Sequence, residues 1–284
     1  MKLSMKSRFA SVVKLGTSFL VCVSLNLAIL LTVDAQEPPT VIILADDAYP
    51  PYSFVEDDQI KGIYVEILQT AAEALAEYYH VEIKATPWQR GLKELREGSA
   101  FALIPPYKHP DKRPYIWPYS IPLLEETVVT TCHEGIDIFG YIGQELNSLA
   151  TPIKVGVNAG YQILSEELTL ARKKGTINFQ ENKDTQSNVL KLLLRRIDCY
   201  LNDRSSTLWE IKRLNSLYPE KSFSKVMFTE PLVVMVRTAH IGYTDSKGHK
   251  YDYKEDFVRR MDSAIKDVQS SPVYKQIIKT YEMP

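Results

Sequence analysis

The sequence predicts an α/β protein of two lobes. Three observations carry this reading. Short β-branched apolar runs alternate with amphipathic helical stretches. The alternation occurs twice along the chain. A break near 132–150 and a strand return near 232–237 mark two crossings between the halves.

In order, Thr40–Ala45 (TVIILA) is a buried strand, broken by the DDAYPP turn at Asp46–Pro51. Ile63–Tyr79 has apolar residues at helical spacing, and Val81–Ala85 alternates as a strand. Trp88–Glu97 is a short helix closed by Gly98, and Phe101–Ile104 is a third strand. Glu126–Cys132 is a strand ahead of the break. The second set is strand Ile153–Val157, helix Tyr161–Lys174, strand Thr176–Gln180, helix Asn188–Arg196, strand Asp198–Leu201 and helix Ser206–Tyr218. Strands follow at Lys225–Phe228 and Leu232–Arg237. Gly242–Asp252 reads as a polar surface loop, and helices Phe257–Gln269 and Val273–Tyr281 complete the pattern.

One stretch fits neither period. Leu103–Pro122 carries prolines at 105, 106, 110, 114, 118 and 122 among aromatics and cations. Each proline fixes φ and removes a backbone donor, so the expectation is a stiff, extended loop presenting Arg113 and aromatic faces. In open α/β sheets ligands sit outside the carboxyl ends of strands, so two such lobes would face each other across a closable cleft.

The first 35 residues read as a secretory signal peptide: Lys2, Lys6, Arg8 and Lys14 precede the apolar run Leu15–Leu31, and Val33 and Ala35 place the cut after Ala35. A single membrane anchor is the alternative, the run being about as long as the roughly 20 apolar residues a span needs. The rest, about 250 residues, suffices for two moderate lobes. Net charge is −1 and no long basic stripe appears, which argues against a nucleic-acid partner. Outside the leader the cysteines are Cys132 and Cys199, with no CxxC or Cys/His metal pattern. A disulfide and two buried thiols are both open readings. No metal or other cofactor is expected, and no G-x-S-x-G or HExxH motif occurs.

Six segments occur in an order that resembles a known family. They are the AYPPYSF turn, KGIYVEIL, WQRGLKELREGSAFAL, KHPDKR…WPYSIP, VGVNAG and LLLRRIDCYLND. Together, over about residues 38–283, they resemble the family 3 extracellular solute-binding proteins, polar amino-acid receptors with the type 2 periplasmic-binding fold. The resemblance implies a clamshell with two hinge crossings: lobe 1 from 36–131 and 236–284, and an inserted lobe 2 from 132–235. It also implies a periplasmic monomer that captures a small polar solute for a membrane permease of an ABC-type transporter, or for a sensor. PWQRGL resembles a branch whose members often lack an obvious transport partner, so a stand-alone sensory or interaction protein is the alternative. A dehydratase-like enzyme is a lesser one.

The resemblance also implies roles for single residues. Arg113 falls where the family's arginine pairs with the ligand carboxylate, which a planar guanidinium can do through two parallel hydrogen bonds. Read alone, it is a solvated arginine beside Lys112. Asp203, five residues after Asp198 in RRID, falls where the family's acid holds the ligand ammonium; alone, it is a turn aspartate beside Asn202. Tyr49 matches a ligand-stacking aromatic, with Asp46 near it, and Trp88 matches a position packing on the ligand side chain. Each ring could equally be lobe packing. Tyr107 and Tyr161 are further candidates. The helix amino end expected near Gly160–Gln162 would offer N–H groups to an anion. The family's hydroxyls before the arginine and at the second lobe's helix start are replaced by Pro105-Pro106-Tyr107-Lys108 and Gly160-Tyr161-Gln162. That departure points to an anionic or polar small ligand more than to an ordinary amino acid.

Overall fold

The computed structural model describes residues 37–142, 151–221, 228, 231–245 and 251–281. The expected signal peptide and most of the strand expected at Lys225–Phe228 lie outside the described residues. Two five-stranded sheets carry the two lobes.

In the first sheet, β1 (Thr40–Asp46) lies between β5 (His80–Thr86) and β6 (Ala102–Ile104), parallel to both. β13 (Gly242–Thr244) runs antiparallel to β6 and to the edge strand β7 (Ile116–Tyr119). The buried face of β1 packs with α1 (Ile63–Glu73), α7 (Lys254–Ser270) and α8 (Pro272–Tyr281) through Val41, Ile43, Ile67, Leu68, Phe257, Met261 and Ile277. The other face is covered by α2 (Trp88–Glu97), whose Trp88, Leu92 and Leu95 pack with Leu103, Ile116 and Tyr119. A small antiparallel sheet follows β1: β2 (Ala48–Tyr49), β3 (Ser53–Glu56) and β4 (Gln59–Lys61).

The second sheet repeats this plan. β9 (Ile153–Asn158) lies parallel to β10 (Ile177–Asn182) and β11 (Cys199–Asp203). β8 (Leu124–Cys132) runs antiparallel to β11 and to β12 (Leu232–Ala239). One side packs with α3 (Ile138–Ile142) and α4 (Glu166–Lys174), the other with α5 (Thr185–Leu193) and α6 (Arg204–Leu217). The chain leaves the first sheet between β7 and β8 and returns between β12 and β13, so it crosses twice. The backbone pairing puts the whole of β8 from Leu124 and of β12 to Ala239 in the second sheet, whereas the family resemblance implies joins at 131/132 and 235/236.

Four local features differ from the sequence expectations. α1 ends at Glu73, and Ala74–Tyr79 continues in turns. α4 starts at Glu166, not Tyr161, because Ser165 caps it (Leu168 N–H to Oγ, 3.3 Å), with Glu166 and Glu167 in its first turn and Lys173 and Lys174 in its last. Residues 242–244 are a buried central strand, not a surface loop; Gly242 is required there, since a Cβ would stand 2.7 Å from Ile116 and Pro106 side chains. Within the proline-rich stretch, Ile116–Tyr119 is a strand; Pro118 is tolerated because β7 lies at a sheet edge.

Candidate functional site

The carboxyl end of β1 delivers Asp46 to the junction of the lobes, where it is buried. Its Oδ1 accepts from the Ala48 N–H at 3.1 Å, and its Oδ2 from the Tyr161 hydroxyl of the second lobe at 3.4 Å. Burial is the main reason its pKa rises to about 7. Tyr49, three residues on, stands edge-on to Tyr161 with centroids 5.7 Å apart. Trp88 opens α2 and also meets Tyr161 edge-on at 6.0 Å. Tyr161 reaches these rings because Gly160–Leu164 is loop ahead of the Ser165 cap.

Arg113 follows a turn in which its own N–H donates to the His109 carbonyl at 2.9 Å. Its guanidinium is buried, lies 5.4 Å over the Trp88 ring, and donates through Nη2 to the Gly160 carbonyl at 2.8 Å. Among the described residues no carboxylate pairs with it, and burial lowers its pKa from the usual arginine value. Asp46, Tyr49, Trp88, Tyr107, Arg113 and Tyr161 line one small cavity, together with Pro105, His109, Gln162 and Ile163. Six sequence candidates thus converge on one space, as α/β strand ends facing each other would require.

Two candidates do something else. Gly160 meets Arg113 with its carbonyl, not its N–H, because no helix starts there; its φ is +79° and a Cβ would lie 2.1 Å from Gln89 Nε2. Asp203 is not on the cavity wall. It caps α6, accepting from the Ser206 N–H at 2.8 Å, and also accepts from the Tyr52 hydroxyl at 2.9 Å.

Asp203 belongs to a polar cluster beside the cavity. Glu126, near the start of β8, is buried and accepts the hydroxyls of Tyr49, Tyr64 and Tyr107. Burial, then the neighbouring Asp203 charge, raises Glu126 to about 8; burial raises Asp203 to about 6. Tyr49 and Tyr107 therefore have one ring in the cavity wall and one hydroxyl tied to the second lobe. Glu126 and His109 were not singled out from the sequence. An acid interrupting the apolar strand ETVVTTC was the available signal for the first; nothing distinguished His109 from the other four scattered histidines. Burial and the Arg113 charge hold His109 down to about 4, so it is neutral. Among the described residues, no group of three or more His, Cys, Asp or Glu could hold a metal, and no helix is long and apolar enough to cross a membrane.

Two lobes around one inward-facing, arginine-bearing cavity define a ligand-binding clamshell. The model of the bacterial extracellular solute-binding proteins, family 3, matches residues 41–283, and the chain belongs to that family. No curated protein matches the sequence. Among solved structures, an ancestral arginine-binding protein bound to arginine is 15% identical, with 87% of this chain and 100% of that chain covered and a TM-score of 0.64. A histidine kinase sensor domain with similarity to periplasmic binding proteins is 14% identical over 87% and 97%, TM-score 0.66. The BvgS VFT2 domain of Bordetella pertussis is 13% identical over 86% and 93%, TM-score 0.64. At these identities the likeness is one of fold.

Proposed function

We propose that the protein is an exported, non-catalytic receptor that captures a small solute carrying a carboxylate and an amine between its lobes. Arg113 is the observation that carries this reading. A buried guanidinium without a counter-charge costs several kcal/mol, and a carboxylate bound through two parallel hydrogen bonds would offset that cost. Asp46, on the same cavity, is the carboxylate placed to take the amine. It replaces Asp203 in that role, since Asp203 is engaged by α6 and Tyr52. Closure follows from differential contacts, because a solute touching Arg113 and Asp46 of one lobe and Tyr161 of the other favours the closed state.

The loaded protein would act in the periplasm as a monomer, handing its solute to an ABC-type permease. A second reading, as a sensory module, is supported by the histidine kinase sensor domain of the same fold. Permease and ATPase genes beside this one would favour transport; their absence with an adjacent kinase gene would favour sensing.

The binding test is a thermal-shift series on the chain from Gln36 onward with matched amino acids, amines and carboxylic acids. Amino acids should raise the melting temperature by mass action. Arg113→Ala should weaken their binding at least ~ten-fold, the scale of a lost hydrogen bond to a charged group. Unchanged affinity in Arg113→Ala would sink the carboxylate assignment.

A further inference from the structure

The protein's own side chains tie one lobe to the other outside the cavity. Tyr52 of the first lobe donates its hydroxyl to Asp203 of the second at 2.9 Å. Phe54 on β3 meets Trp209 on α6 with ring centroids 5.3 Å apart. Tyr52 and Phe54 belong to the β2–β3 hairpin, and Asp203 and Trp209 to the start of α6. Neither element is one of the strands that cross between the lobes, so a hinge rotation about those crossings must shift hairpin and helix against one another.

Both ends of the Tyr52–Asp203 bond are set in advance. The Tyr52 ring stacks on Tyr64 (centroids 5.0 Å apart, planes 13° apart) and lies against Tyr49, also at 5.0 Å. Those two rings are fixed in turn by their hydroxyls, which both donate to Glu126 on β8. Asp203 is held by the Ser206 N–H at 2.8 Å. Donor and acceptor are buried. A bond between groups already in position costs little further side-chain entropy when the lobes meet.

We propose that the β2–β3 hairpin and the start of α6 form a latch, Tyr52 to Asp203 and Phe54 to Trp209, which holds the lobes closed before any solute arrives. The solute then adds its contacts to a balance the protein has already tipped, and it enters through openings of the latch. Apparent affinity is reduced only by the fraction of molecules that are open, so a latched receptor binds close to its intrinsic limit. The latch does not depend on which solute is bound.

The test measures lobe separation without solute, in the chain from Gln36 onward, dialysed from urea to strip any carried ligand. Spin labels on Lys93→Cys of α2 and Lys173→Cys of α4 mark one exposed position in each lobe. Cys132 and Cys199 are bonded to each other and take no label. Double electron–electron resonance on this labelled parent should give a single distance. Tyr52→Phe keeps the ring stack and the α6 cap but removes the hydroxyl, and Trp209→Ala removes the second contact. Loss of the bond to a carboxylate should raise the open-to-closed ratio at least ~ten-fold. In the double variant a second, longer distance should appear. Tyr79→Phe loses a tyrosine–acid bond inside the first lobe, to Asp256 at 2.8 Å, and should keep the single distance.

Two distances in the labelled parent, or one unchanged distance in the double variant, overturns the latch. So does a second distance in Tyr79→Phe, which would mean that any lost tyrosine bond loosens the lobes. If circular dichroism shows the double variant unfolded, Tyr52→Phe alone decides: a longer distance supports the latch and its absence overturns it. No arm of this experiment uses a solute, so its failure leaves the solute-binding reading to the thermal-shift series.

Discussion

Arg113 and Asp203 show how far single residues follow from type and order. Arg113 was expected in a ligand cleft, and it stands buried in the cavity wall, its guanidinium bound to a carbonyl and set over an aromatic face. Asp203 was expected there too, but the same short carboxylate that suits an ammonium also suits the start of a helix. With Ser206 three residues on, it caps α6. Asp203→Ala should therefore cost about 1–2 kcal/mol of stability in urea unfolding, the range of a lost cap. Solute affinity should change far less than in Arg113→Ala. A large affinity loss at unchanged stability would return Asp203 to the site.

At the scale of elements, helices and buried strands were legible wherever apolar periodicity is the cause of the structure. The misses came where a tertiary partner decides. Gly242–Thr244 is polar-flanked and short, and becomes a strand only because β6 and β7 leave a slot between them. Tyr161–Ser165 has helical composition, yet the Ser165 side chain caps the helix four residues later and frees Tyr161 for the cavity. Spacing could not say whether Cys132 and Cys199 pair. In the fold they are opposite one another on β8 and β11 and form a disulfide that closes a sequence separation of 67. On the chain-entropy model such a loop is worth about 4 kcal/mol. Reduction, or Cys132→Ser with Cys199→Ser, should lower the urea midpoint accordingly. An unchanged midpoint would mean that the second sheet stands without the bridge.

The whole molecule buries an unusual set of acids between its lobes, with a pH consequence. Asp46, Glu126 and Asp203 all have folded pKa values raised by burial, to about 7, 8 and 6. Over the interval between its ordinary and raised value, each holds a proton in the folded state that the unfolded chain has released. Stability therefore falls as pH rises through that interval, by up to about 1.4 kcal/mol per pH unit per group. His109, His133 and His240 are lowered by burial and act oppositely, but only below their ordinary value of 6.5. Between pH 6.5 and 8 the acids act alone, so the urea midpoint should fall across that window. Glu126→Gln, which keeps one acceptor oxygen for the tyrosines and has no titrating proton, should flatten the fall. A midpoint that is level or rising from pH 6.5 to 8 in wild type would contradict the buried-acid account.

By itself, the sequence determined the α/β class, the doubled pattern, the two crossings and most of the cavity's residue types. These depend on hydrophobic period and on motifs read along the chain. Only the tertiary structure decided which acid faces the cavity, that Glu126 gathers three tyrosines, and that the cysteines pair. Each of these is a contact across elements distant in sequence, and burial is what gives it energetic weight. No local pattern encodes such a contact until the distant elements pack together.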